Sequence, residues 1–148
     1  MKSDHQRRVE ELMRLASQEI PDHPTVPSYE VRKLRATLIL EEALETIEAL
    51  GFEVKKRSDG TLGHADLFLD DGERCELVKV VDGCCDLRVV STGTLSAFGV
   101  DDVFVQEEVD KNNLTKFGPG SFRREDGKWM KPPGFKGPDL ARVLGLIP

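Results

Sequence analysis

Residues 38–51 read LILEEALETIEALG, and residues 76–93 read ELVKVVDGCCDLRVVSTG. Both stretches carry apolar residues at helical spacing and bounded polar ends, which predicts two amphipathic helices facing one core. Both also carry acids: Glu41, Glu42 and Glu45 on the first, Asp82 and Asp86 on the second. Glu42 and Glu45 are three apart and Asp82 and Asp86 four apart, so each pair shares a helix face. Carboxylates aligned with core positions need a counter-charge, because an unpaired buried charge is very costly. A divalent cation is the simplest one. Crowded oxygen donors suit hard ions such as Mg²⁺ or Mn²⁺.

The rest of the chain builds outward from these helices. The first of the two runs from Ser28 to Leu50, with Ser28 as N-cap and Gly51 as its stop. Val31, Leu34, Leu38 and Ala49 form an apolar stripe that also contains Glu42 and Glu45. The second runs from Cys75 to Phe98, with Val78, Val81, Cys85, Val89 and Leu95 as its apolar positions. Gly93 there suits close helix packing, and Gly83 leaves room for a ligand beside the acids. Ahead of both, Asp4 to Ile20 predicts a helix capped by Asp4, ended by PDHPTVP at 21–27. Between the two, residues 52–73 change to a short β-hairpin pattern. A fourth helix starts near Asp101, with Val105, Val109, Asn112, Asn113 and Lys116 on one face. A long loop follows, then a short helix from Leu140 to Leu146 capped by Asp139. The expected architecture is mainly α: one domain over residues 1–148, with a small hairpin between helices two and three.

Composition limits the function classes. The 148 residues carry a formal net charge of −6. That argues against general nucleic-acid binding, which needs a basic face. No apolar run approaches a membrane span, and the charged start MKSDHQRRVEEL does not read as a targeting peptide. Cys75, Cys84 and Cys85 cannot all pair with one another, so a reduced cytosolic setting is expected. Adjacent cysteines with His64 in the hairpin lack zinc-site spacing. One local departure from the acidic balance stands out. Arg123, Arg124, Lys128, Lys131 and Lys136 make the loop after Phe117 strongly basic, and Asn113 and Lys116 share a helix face just before it. Such cations suit phosphate oxygens. Arg35 reads as a structural residue, and Trp129 and Phe135 as anchors of the loop. The alternative reading of the acids is solvated side chains on amphipathic helices, and the second acid pair on the otherwise apolar VKVVDGCCDLRVV weighs against it.

Three ordered motifs give the chain a family likeness. They are LILEEALE (38–45), DGCCDLRVVSTGTLSAFGVD (82–101) and EEVDKNNLTKFGPG (107–120), the last continued by REDGKWMKPPGFKGPDL (124–140). Together they resemble the MazG-like all-α NTP pyrophosphatases over roughly Ser28 to Asp139. In style they are nearest the compact phage and bacterial members, the phage MazZ (d)GTP pyrophosphohydrolase branch in particular.

The resemblance implies a helical-bundle fold and cleavage of a (d)NTP, with dGTP or GTP the best guess, to monophosphate and pyrophosphate. It implies two or three Mg²⁺ or Mn²⁺ ions and a homodimer or homotetramer. Carried over by position, Glu42 and Glu45 match the family's E-x-x-E, Glu41 its extra acid, and Asp86 the aspartate of the second motif. These four are the expected catalytic residues, and with Asp82 they are the expected metal ligands. Position 83 departs from the family pattern, holding glycine where a glutamate is usual, with Asp82 as the substitute. Asn113 and Lys116 match the family's N-x-x-K, and Lys128 and Lys131 its basic tail. These four are the expected substrate-binding residues. Alternatives within reach are a dUTP- or dCTP-directed enzyme, an inactive nucleotide-binding regulator, and a helical module with no ligand.

Overall fold

In the computed structural model the described residues are 1–54, 75–146 and the backbone of 67–69. Helix α1 spans Asp4–Leu15, α2 Tyr29–Ala49, α3 Leu77–Ala97, α4 Asp102–Leu114 and α5 Leu140–Val143. Strands β1 (Phe52–Val54) and β2 (Leu67–Leu69) pair antiparallel between α2 and α3, in the register Phe52 to Leu69. The hairpin expected between the second and third helices is therefore present, while its connecting segment and His64 lie outside the described residues. A second antiparallel pair, β3 (Phe122–Arg123) and β4 (Trp129–Met130), forms within the stretch expected to be loop. Two-residue strands carry too little alternation to be read from sequence.

Helix α1 is shorter than its apolar spacing suggests, and its cap is Ser3 instead of Asp4. The Ser3 hydroxyl accepts from the Gln6 amide at 3.0 Å. The helix stops at Leu15 because Ser17 turns left-handed, at φ 56°. The amide of Gln18 reaches Met13 O and that of Ser17 reaches Arg14 O, both at 2.9 Å. That pair closes the helix in a Schellman arrangement. At α2 the Ser28 hydroxyl accepts from the Val31 amide, and Gly51 takes φ 86° just past the helix end. Asp139 caps α5 by accepting from the Arg142 amide.

Helices α2 and α3 run antiparallel and pack along their length. Close approach has a marker at each end. Near the C-terminal end of α2, Gly83 lies against Thr46; near its N-terminal end, Gly93 lies against Arg35, with Val9 and Met13 of α1 beside it. An added Cβ at Gly83 would come within 2.4 Å of Thr46 Oγ1 and 3.2 Å of the α2 backbone, and one at Gly93 within 2.9 Å of Nη1 at the far end of the Arg35 side chain. This accounts for two glycines in α3 that each cost about 1 kcal/mol of helix propensity. Gly83 meets Thr46 on one side and also lines the cavity beside the acids.

The buried core is small and lies where α1 crosses the C-terminal half of α3. Val9, Met13 and Ala97 are its centre, with Ile20, Val31 and Val89 packed against them. A polar network pins α1 there. Gln6 is fully buried; its Nε2 donates to Ser96 Oγ (2.9 Å) and Val100 O (2.8 Å), and its Oε1 accepts from the Asp102 amide (2.8 Å). Glu10 is nearly as buried and sits between Lys2 (2.6 Å) and Arg14 (3.0 Å) while accepting from Ser96 Oγ.

Several expected core positions are corrected by this packing. Leu34, Val78, Val81 and Cys85 are exposed, and the residues buried are Arg35, Thr46 and Ala49 on α2 and Gly83, Val90, Thr92, Gly93, Ser96 and Ala97 on α3. Helix α1 is only half as long as α3, so it leaves the N-terminal half of α3 uncovered. All three cysteines are free and exposed. No helix among the described residues is long and apolar enough to cross a membrane.

Candidate active site

The acids gather where α2 and α3 approach most closely. Thr46 is buried on Gly83, and its hydroxyl donates to Glu42 O at 2.7 Å. This contact sets the register of the two helices. Glu42 and Asp86 come to the same level on one side of it, with Glu45 and Asp82 beside them. The carboxylates thus flank the buried contact and are not buried themselves: Glu41, Glu45 and Asp82 are exposed, and Glu42 and Asp86 are half-buried. The expected alignment of acids with the core is replaced by acids on its rim, where ionised side chains stay partly hydrated.

Glu42 is the electrostatic centre. Its carboxyl is held above the ordinary glutamate range, first by partial burial and then by the charges of Asp86, Glu45, Glu41 and Asp82 in that order. The other four acids picked out in the sequence therefore all act on Glu42. Below them a cavity of about 380 Å³ opens between the helices. Glu45, Asp82, Gly83 and Asp86 form one part of its wall, and Glu48, Ala49, Glu76 and Lys79 the other. Lys79 donates to Glu76 at 2.7 Å. Glu48, Glu76 and Lys79 were not picked out in the sequence. Glu48 could have been, since it lies three residues after Glu45 on the same helix.

All the donors are carboxylate oxygens, the chemistry that Mg²⁺ and Mn²⁺ select. Mutual repulsion that raises the proton affinity of Glu42 is also what a bound cation would relieve. The donor set thus fits a hard divalent ion. Among the described residues no three such side chains already surround one point. Unscreened like charges favour carboxylates turned apart.

The basic residues are placed elsewhere. Asn113 ends the face of α4, and its Oδ1 accepts from Lys116 Nζ at 2.5 Å. Trp129 packs on Phe117 with ring centroids 5.2 Å apart and donates to Lys116 O at 3.2 Å. Lys131 lies over the Phe135 ring at 4.6 Å. The aromatics thus pin this segment, as expected. Among the described residues, α4 packs with α5 and with the tight turn Thr115–Phe117, and the cavity wall contains no residue from this segment. Asn113 and Lys116 are brought together, and the wall of the cavity contains none of Asn113, Lys116, Lys128 and Lys131. Arg35 is buried beside Gly93 and donates to Gln18 Oε1, with its Nε unpartnered among the described residues.

The family model described as phosphoribosyl-ATP pyrophosphohydrolase matches residues 9–113. The chain belongs to that family. It lies within the MazG-like all-α NTP pyrophosphatase superfamily, in agreement with the likeness carried by the three motifs. The helical fold agrees with it, and so does nucleotide pyrophosphohydrolase activity at the coarse level. The family generally uses divalent metal ions. No individually curated protein matches the chain. The match to the phosphoribosyl-ATP pyrophosphohydrolase family covers α1 to α4 and stops at Asn113, so Lys116, Lys128 and Lys131 lie beyond it.

Proposed function

We propose that the protein is a divalent-metal-dependent nucleoside triphosphate pyrophosphohydrolase. It cleaves between the α- and β-phosphates and releases the (d)NMP and pyrophosphate, with dGTP or GTP as the first substrate to test. The observation that carries this reading is the convergence of Glu41, Glu45, Asp82 and Asp86 on Glu42 across the α2–α3 cleft.

In this reading Glu42, Glu45, Asp82 and Asp86 hold the metal, and Glu41 holds a further ion or orients the attacking water. The bound ion supplies polarisation of phosphoryl oxygen and a water of lowered proton affinity. Thr46 and Gly83 keep the two acid-bearing helices at a fixed separation. Asn113, Lys116, Lys128 and Lys131 bind the triphosphate and stabilise charge on the departing pyrophosphate. The protein works as a homodimer or homotetramer, free of nucleic acid and membrane, in the cytoplasm.

Base preference rests on motif style alone. A dUTP- or dCTP-directed enzyme is the nearest alternative, and phosphoribosyl-ATP, named in the family description, belongs in the same assay. A second reading, a nucleotide-binding regulator without turnover, is motivated by glycine at position 83. The deciding experiment is a panel of the eight (d)NTPs and phosphoribosyl-ATP with Mn²⁺, scored for monophosphate and pyrophosphate. Preference for dGTP and GTP supports the proposal. Preference for dUTP, dCTP or phosphoribosyl-ATP reassigns the substrate, and tight binding without turnover favours the regulator.

A further inference from the structure

Arg35 is a buried cation that the fold leaves without a counter-ion among the described residues. It is 5 % exposed; its Nη2 donates to the Gln18 amide oxygen, and its Nε has no partner. Burial lowers its proton affinity, and no carboxylate among the described residues offsets that. A guanidinium carries five N–H donors in a flat fork and keeps its charge. Holding one inside a protein with a donor idle is costly. The bond to Gln18 tethers the end of α1 to α2, a task for which an uncharged side chain would serve.

The same side chain lines a cavity of about 180 Å³ between α1, α2 and α3. Gln18 lies beside it there, and Leu12, Met13, Leu38 and Val89 are apolar walls. The cavity adjoins the acid cleft along the same two helices. Leu38 stands one turn before Glu42 on α2, and Val89 one turn after Asp86 on α3. Arg35 is seven residues from Glu42, roughly 10 Å along the helix axis. A nucleotide whose phosphates sit at the acids can therefore lay its other end beside Arg35. Apolar walls with one or two polar groups suit a flat ring and not a phosphate.

We infer that this cavity receives the base of the substrate and that Arg35, held by Gln18, is the residue that selects guanine. The inference rests on the proposed function for the nucleotide, and on the cavity and its idle guanidinium donor for the base. Guanine presents two acceptors, O6 and N7, on one edge, and a guanidinium meets both with two parallel N–H groups. Adenine carries an amino donor where guanine has O6, cytosine presents a donor, and thymine presents one acceptor. Arg35 Nε is one of the two donors, and a free N–H of the same guanidinium is the other. Guanine thus satisfies a buried group that the other bases leave wholly or partly unpaired.

The test compares dGTP with 7-deaza-dGTP, which keeps O6 and replaces N7 by a carbon. Wild type is expected to favour dGTP by about tenfold in kcat/KM. Gln18→Glu hands Arg35 the carboxylate it lacks and occupies its donors. That variant should melt at or above wild type, yet its ratio of dGTP to 7-deaza-dGTP should fall to near one. A purely structural Arg35 would gain stability and leave the ratio unmoved. A wild-type ratio near one, or a ratio preserved in Gln18→Glu, overturns the inference. A second measurement does not depend on turnover. The ¹⁵N-edited NMR signal of the Arg35 Nε–H, assigned by its loss in Arg35→Lys, is followed as deoxyguanosine or deoxycytidine is added in chelator. A saturable shift with deoxyguanosine alone is expected; no shift, or equal shifts with both, overturns the inference. Absence of turnover with every nucleotide while that shift is present would overturn the proposed activity and leave the base site standing. Turnover without the shift would leave the activity standing and remove Arg35 from base selection.

Discussion

Gly83 lies so close to Thr46 that a Cβ at position 83 would sit 2.4 Å from Thr46 Oγ1 and 3.2 Å from Thr46 Cα. The two helices that carry the acids therefore touch through a hydroxyl and a missing side chain. Gly83→Ala is expected to push α3 away from α2, costing about 1–3 kcal/mol by overpacking, partly offset by about 1 kcal/mol of helix propensity. Pyrophosphate release should fall at least tenfold, since catalytic geometry tolerates displacements well under 1 Å. Removing the hydroxyl with Thr46→Ala in the same chain should restore much of both. Urea denaturation and the release assay check this, and a Gly83→Ala protein with unchanged activity would show that helix separation does not matter.

Glu45→Gln removes one carboxylate that lines the cavity without changing its shape. Activity with Mn²⁺ should fall by about 100-fold or more if the residue holds a metal that supplies the nucleophile. The rise in melting temperature produced by Mn²⁺ should shrink in parallel, because a ligand bound only to the native state must stabilise it. Calorimetric melting with and without Mn²⁺ reads that loss independently of turnover.

The raised proton affinity of Glu42 gives the metal-free protein a pH signature. Its carboxyl titrates above the usual glutamate value. A group raised on folding contributes stability that is fully present below its unfolded pKa and lost as pH rises through the folded one. At neutral pH the ionised Glu42 is thus a cost. Glu42→Gln should melt a degree or two higher than wild type at pH 7 in chelator. That advantage should vanish as pH falls toward 4. An equal difference at both values would mean that the four neighbouring carboxylates do not act on Glu42.

Gln6 holds α1 to the α3–α4 junction through Ser96, Val100 O and the Asp102 amide. Gln6→Ala leaves those groups unsatisfied in a buried place. A loss of about 2–3 kcal/mol is expected, read by urea denaturation, with little effect on the affinity for Mn²⁺.

Much of the fold could be read from residue spacing. The caps at Ser28 and Asp139, the left-handed stop at Gly51 and the hairpin between α2 and α3 follow from local chemistry. Local chemistry also misled at α1, where Asp4 and Ser3 are both good caps. Ser3 prevails because Asp102, ninety-nine residues away, accepts from its amide and hydroxyl. The apolar stripe Val78–Val81–Cys85 was read as core because periodicity reports an apolar face without saying what covers it.

The same division runs through the candidate site. Sequence by itself determined that Glu42 and Glu45 share one helix face and Asp82 and Asp86 another, because helical periodicity is local. It also determined that the basic residues follow as one block. Only the tertiary structure decided that the two acid faces meet, since that depends on which side of α3 turns toward α2. Gly83 sets that side by admitting Thr46. A side chain there would point into the backbone of α2. Tertiary structure likewise left the basic block out of the cavity wall, since among the described residues α4 packs chiefly on α5 and the Thr115–Phe117 turn.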